Sequence, residues 1–173
     1  HPIRNQGGIM ELIASYTATG SVASIDFSSI AADWTDLALY VSLRDNGSNV
    51  YSLAYVKFNN STSNLNSRGV EGNGASATSY VNATTIYINS ANGNTSTANT
   101  FSNSFIYVPN YTSSNYKSVS VDGVMENNAT TAYASLQAGL WSTTSAINQI
   151  TLYSTTGSWL EHSTAYLYGV KNA

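Results

Sequence analysis

The stretch Tyr133–Tyr153, YASLQAGLWSTTSAINQITLY, carries the rhythm that decides the fold class. Ala134, Leu136, Ala138 and Leu140 alternate with Tyr133, Ser135, Gln137 and Trp141. Successive side chains of a strand point to opposite faces, so a period of two is the mark of a β-strand. A second apolar run, Ile147–Tyr153, follows across Ser142-Thr143-Thr144-Ser145-Ala146. It is expected to pair with the first as a short hairpin. Trp141, at the end of its strand, is expected to pack in a core edge or an interface rather than to stack on a ligand.

The same rhythm recurs outward in both directions. LALYVSL sets Leu37, Leu39, Val41 and Leu43 against Ala38, Tyr40 and Ser42. VYSLAYVKF sets Tyr51, Leu53 and Tyr55 against Ser52, Ala54 and Val56, and TFSNSFIYVP puts Phe101, Phe105 and Tyr107 together. Tyr, Val, Ile, Thr and Phe suit a pleated surface. Helical periodicity is poor throughout, and Phe27–Leu37 reads as a loop or a single turn with Asp33 as a candidate cap. Strands are expected near 10–17, 22–27, 37–43, 50–58, 79–88, 100–108, 116–125, 133–141, 147–153 and 163–170. Asn, Gly and Ser turns such as RDNGSN, EGNGAS and TTGS punctuate them. Loops at 59–78 and 89–99 are too long for hairpins and suit crossings between sheets. The expected fold is therefore all-β: an antiparallel, jelly-roll-like β-sandwich of about ten strands.

Residues 1–9 break the pattern. HPIRNQGG has a proline, no alternation, no apolar core of a secretory leader, and a glycine joint at Gly7-Gly8. It reads as an N-terminal arm, with Ile3 and Arg4 as its contact residues, ahead of one sandwich domain over 10–173.

Composition narrows the function. Charged residues make up 9% of the chain, against about 25% in an average globular protein. Ser, Thr and Asn supply the polarity instead, as 66 of the 173 residues. The six basic residues, Arg4, Arg44, Lys57, Arg68, Lys117 and Lys171, are dispersed, so no patch tracks a phosphate backbone and no nucleic acid is expected as partner. No apolar run approaches the roughly 18 residues of a membrane-spanning helix. With no cysteine, thiol chemistry and disulfides are excluded.

Catalytic and metal-binding patterns are sparse. His162 beside Glu161 reads as solvated surface, and no third ligand stands near them. Asp122 and Glu126 share a face on a straight strand, but a calcium ion needs more oxygen ligands. Asp33 and Asp36 read as loop capping beside Trp34. No serine lies in a nucleophile elbow, and no phosphate loop or dinucleotide fingerprint occurs. The expectation is a protein without enzymatic activity, metal or cofactor. Trp34 and Trp159, each in a turn-rich segment beside an acidic residue, are the candidates for stacking on a glycan. The sequons at Asn46, Asn59, Asn60, Asn82, Asn94, Asn110 and Asn128 are what so Asn-rich a chain produces by chance.

From about Leu12 onward the chain resembles small β-sandwich virion proteins of tailed bacteriophages, notably those of cyanobacteria and marine bacteria. The resemblance lies in SIDFSSIAADWTDLALYVSLR, ANTFSNSFIYVPNYTSSNYKSVSVDGVMENN, AYASLQAGLWSTTSAINQITLYS and the ending STAYLYGVKNA. It implies a jelly-roll-like fold, no catalysis and a place on the virion exterior. The expected role is a capsid decoration (cement) subunit, homotrimeric, with the arm reaching the major capsid protein or another subunit. The alternative is a carbohydrate-binding tip of a tail fibre or spike.

Overall fold

A computed structural model describes residues 10–171. The arm residues Ile3, Arg4, Gly7 and Gly8 lie outside the described residues. Twelve strands form and, among the described residues, no helix. In chain order they are β1 Met10–Thr17, β2 Ser24–Phe27, β3 Asp36–Leu43, β4 Tyr51–Phe58, β5 Leu65–Gly72 and β6 Ala77–Asn82. There follow β7 Ile86–Asn92, β8 Ser102–Val108, β9 Lys117–Met125, β10 Tyr133–Trp141, β11 Ile150–Ser154 and β12 Thr164–Val170. Two antiparallel sheets pack as a sandwich. The larger runs β1-β12-β3-β8-β9-β10-β5-β6 and the smaller β2-β11-β4-β7.

Alternation places the core. Leu37, Leu39, Val41 and Leu43 of β3 point inward, as do Val119 and Val121 of β9. They meet Ile25, Val56, Phe58, Ile86, Ile88, Ile150 and Leu152 from the smaller sheet. Each fully buried Leu or Ile contributes about 1.5–3 kcal/mol.

The strand count exceeds the expected ten for two reasons. Residues 59–78 hold β5, whose sequence LNSRGVEG shows no apolar alternation. The run 79–88 is not one strand but parts of β6 and β7, which belong to opposite sheets. The expected hairpin across residues 142–146 does not form. β10 pairs with β9 and β5, whereas β11 pairs with β2 and β4 in the other sheet. Residues 142–149 therefore cross between layers, a span sheets about 10 Å apart require. Ile147 anchors the crossing: its N–H donates to Tyr111 O at 2.9 Å, and its side chain is buried. Trp141 closes the core beside it, 4% exposed and 5.8 Å from the Phe58 ring.

Candidate functional site: a tyrosine cleft and an apolar sheet face

Two surfaces stand out. The first lies where the β5–β6 end of the large sheet meets the β7 edge of the small one. Ser52, Ala54 and Val56 point into the core, so Tyr51, Leu53 and Tyr55 take the other face of β4, where Tyr51 and Leu53 are exposed and Tyr55 is covered by Tyr87 and Tyr153. β7 is an edge strand, yet it is buried along its whole length. Ser67 of β5 ties it to the larger sheet: its Oγ accepts the Tyr87 N–H at 3.1 Å and donates to Thr85 O at 3.1 Å.

The tyrosines form a ladder. Tyr153 stacks on Tyr55 at 5.5 Å, Tyr55 meets Tyr87 edge-on at 5.9 Å, and Tyr87 meets Tyr80 of β6 at 5.6 Å. A second pair, Tyr51 and Tyr133, meets at 5.5 Å across the two sheets. Such edge-on pairs are favourable because the positive ring edge faces the negative ring face. Between the two groups lies a cleft of about 210 Å³, with Glu71 of β5 in its wall.

Polar atoms around the cleft are largely engaged with one another. The Tyr87 hydroxyl and Ser90 Oγ are 2.8 Å apart, Asn82 Nδ2 donates to Ser67 Oγ at 3.4 Å, and Gln137 Nε2 donates to the Tyr80 hydroxyl. Gly69 makes room for Gln137: a Cβ there would stand 1.9 Å from Gln137 Oε1. Burial pushes the Tyr80 hydroxyl up to about 12, with the Gln137 hydrogen bond working against the rise and the Glu71 charge adding to it. Burial likewise raises Tyr87 strongly, and raises Tyr133 with help from Tyr51 and Glu71. The Glu71 carboxyl is raised by burial, and among the described residues no hydrogen bond or cation offsets the rise. These tyrosines stay protonated at neutral pH and supply rings and engaged hydroxyls, not a base.

The second surface is the outer face of the large sheet. β10 is inverted relative to the usual pattern: Leu136 is 58% exposed while Gln137 is 2% exposed. Across neighbouring strands the register lines up Tyr166, Tyr40, Phe105, Asp122, Leu136 and Val70. Tyr40 also packs on Phe105 at 4.9 Å and on Tyr168 at 5.7 Å. Val124 and Val81 extend the exposed apolar surface beyond this row.

The sequence-level candidates fall elsewhere. Trp159 offers no ring to a glycan: it is fully buried, and its Nε1 donates to Leu152 O at 3.1 Å. Its turn-rich setting suggested exposure, but isolated bridges to Val22 and Asp45 draw it inside. Trp34 is half-buried against Gly169, where a Cβ would stand 2.1 Å from the ring, and the Lys171 ammonium lies 4.8 Å over it. Asp122 faces outward on β9, while Glu126 caps a turn by accepting the N–H groups of Asn127 and Asn128. Among the described residues no three His, Asp or Glu side chains gather to hold a metal. The cleft lies apart from both candidate tryptophans. The signal for it in the sequence was the alternating set Tyr51, Leu53 and Tyr55 on β4.

The chain matches no protein-family model and no curated protein at a significant level.

Proposed function

We propose that this chain is a non-enzymatic structural protein of a tailed-phage virion: an exterior capsid decoration subunit that assembles as a homotrimer. The observation that carries the reading is the inverted β10, with Leu136 in solvent and Ser135 and Gln137 inside. Contiguous exposed apolar surface marks interaction sites, so this face is read as one covered in the working assembly. Three copies around an axis would bury the row from Tyr40 to Val70. The phage-protein resemblance supplies the virion setting, and the arm at Ile3 and Arg4 supplies the contact with the major capsid protein or a neighbouring subunit. A cysteine-free skin of Ser, Thr and Asn suits an exterior part, since it depends little on redox state or on screened ion pairs.

An antibody raised against the chain tests the placement on the parent particles. Head labelling in electron micrographs is the expected result. Tail-tip labelling would shift the assignment to a fibre, and unlabelled particles would refute the virion reading. The carbohydrate-binding alternative loses the buried Trp159 and keeps the half-buried Trp34. A glycan array decides it: selective hits lost on replacing Trp34 would favour the fibre tip.

A further inference from the structure

We propose that the tyrosine cleft binds a small alkylammonium cation, seated against Glu71 among the rings of Tyr51, Tyr80, Tyr87 and Tyr133. The proposal stands apart from the virion reading and needs no assembly. Four strands of two sheets bring four electron-rich rings around one carboxylate. Tyrosine rings attract cations through their negative faces, and the attraction grows as the site is desolvated.

The carboxylate is the decisive group. Glu71 is half-buried, and among the described residues no hydrogen bond or cation offsets its desolvation. None of the described basic residues serves it. Arg44 donates to Ser96, Thr97 and Thr100, and Lys117 to Ser113 and Asn115. Lys57 lies over Tyr153 at the far end of the ladder, and Lys171 over Trp34. Arg68 alternates with Glu71 on β5 and is exposed beside Val81, on the opposite face. The site thus presents uncompensated negative charge and ring surface.

The remaining polar atoms select against other ligands. A sugar needs several free donors and acceptors, but Tyr87 and Ser90 bond each other, Tyr80 accepts from Gln137, and Asn82 spends its Nδ2 on Ser67. A calcium ion needs about six to eight oxygens, and only one carboxylate is here. At about 210 Å³ the cleft is smaller than the roughly 300–1,000 Å³ of pockets for drug-sized molecules. A compact, greasy, singly charged headgroup such as trimethylammonium matches size, charge and lining together.

Calorimetric titration of the purified full chain at constant ionic strength tests this. The probes are choline chloride, an uncharged alcohol of the same shape with carbon in place of nitrogen, and galactose. Choline is expected to saturate the chain, the alcohol to bind more weakly, and galactose not to bind. Glu71→Gln, a near-isosteric change at a half-exposed position, should weaken choline binding at least about tenfold, the loss of one charge contact in a partly desolvated site. Tyr133→Phe should keep most of the affinity and Tyr133→Leu lose it, because the ring and not the hydroxyl is used. The proposal falls if choline does not saturate, if the alcohol or galactose binds as tightly, or if Glu71→Gln binds unchanged. Phosphatidylcholine vesicles distinguish the source. Co-sedimentation marks a lipid headgroup, and saturation by choline without it marks a free or polymer-borne one; the cation site stands in both cases.

Discussion

Arg44 is buried opposite backbone carbonyls instead of a carboxylate. Its Nη1 donates to Thr100 O at 2.7 Å and Thr97 O at 3.0 Å, and its Nη2 to Ser96 O at 3.2 Å. Burial accordingly lowers its pKa. Lys117 repeats the device, with Nζ donating to Ser113 O at 2.7 Å and Asn115 O at 2.6 Å. In a chain this poor in charge, two cations are used as staples for loops that lack regular structure. The planar fork of Arg44 reaches four carbonyls, those of Asn94, Ser96, Thr97 and Thr100, one more than the three N–H groups of an ammonium could serve singly. Arg44→Met keeps the stem but strands those acceptors in a buried loop. It should cost about 2–3 kcal/mol, the scale of hydrogen bonds to a charged group. A lowered urea midpoint with an unchanged slope checks it, whereas an unchanged midpoint would mean that water replaces the guanidinium.

At the scale of elements, β10 separates folding from assembly. Gln137 and Trp141 look inward, so they belong to the fold, and Leu136 looks outward, so it belongs to the proposed interface. Leu136→Glu should leave the strand signal of the folded subunit unchanged, since surface substitutions usually fall within about ±0.5 kcal/mol. Sedimentation velocity should then show monomers where the unsubstituted chain sediments as the proposed trimer. A trimer that survives the charge would move the interface to another face. The same strand shows what the sequence reveals. Its period and its bounds are legible, because each depends on local alternation, but which face is buried is not, since alternation sets Trp141 beside Ser135 and Gln137 and against Leu136. Its partners are not. Nothing in Ser142–Ala146 distinguishes a hairpin from a crossing, and the outcome rests on Ile147 finding Tyr111 across the core. β5 hides for a related reason. Ser67, Gly69 and Glu71 face Tyr87, Gln137 and the cleft rather than a greasy layer, so no apolar rhythm marks them. The cleft is legible only as the outer face of β4, because Tyr51, Tyr80, Tyr87 and Tyr133 meet only after three sheet crossings.

Across the whole molecule, tyrosine does work that charge does elsewhere. Burial raises Tyr55, Tyr80, Tyr87, Tyr111, Tyr133 and Tyr153, and the hydrogen bond donated to Asp36 at 2.7 Å leads the rise of Tyr107. A raised folded pKa means that the unfolded chain gives up its proton first. Each such group contributes stability that is complete below its unfolded value of 10.0 and fades as pH climbs through its folded value, about 12 for Tyr80. Because these groups span both sheets, their losses accumulate over one window, and the sandwich should unfold cooperatively in alkali. An alkaline titration followed by tyrosinate absorbance and far-ultraviolet circular dichroism checks this. A fraction of the hydroxyls should resist ionisation until the strand signal collapses, and the two signals should then move together. Smooth ionisation of every tyrosine near pH 10 with the strand signal intact would mean that the ladder is open to water, and the cleft could not then desolvate Glu71 as described.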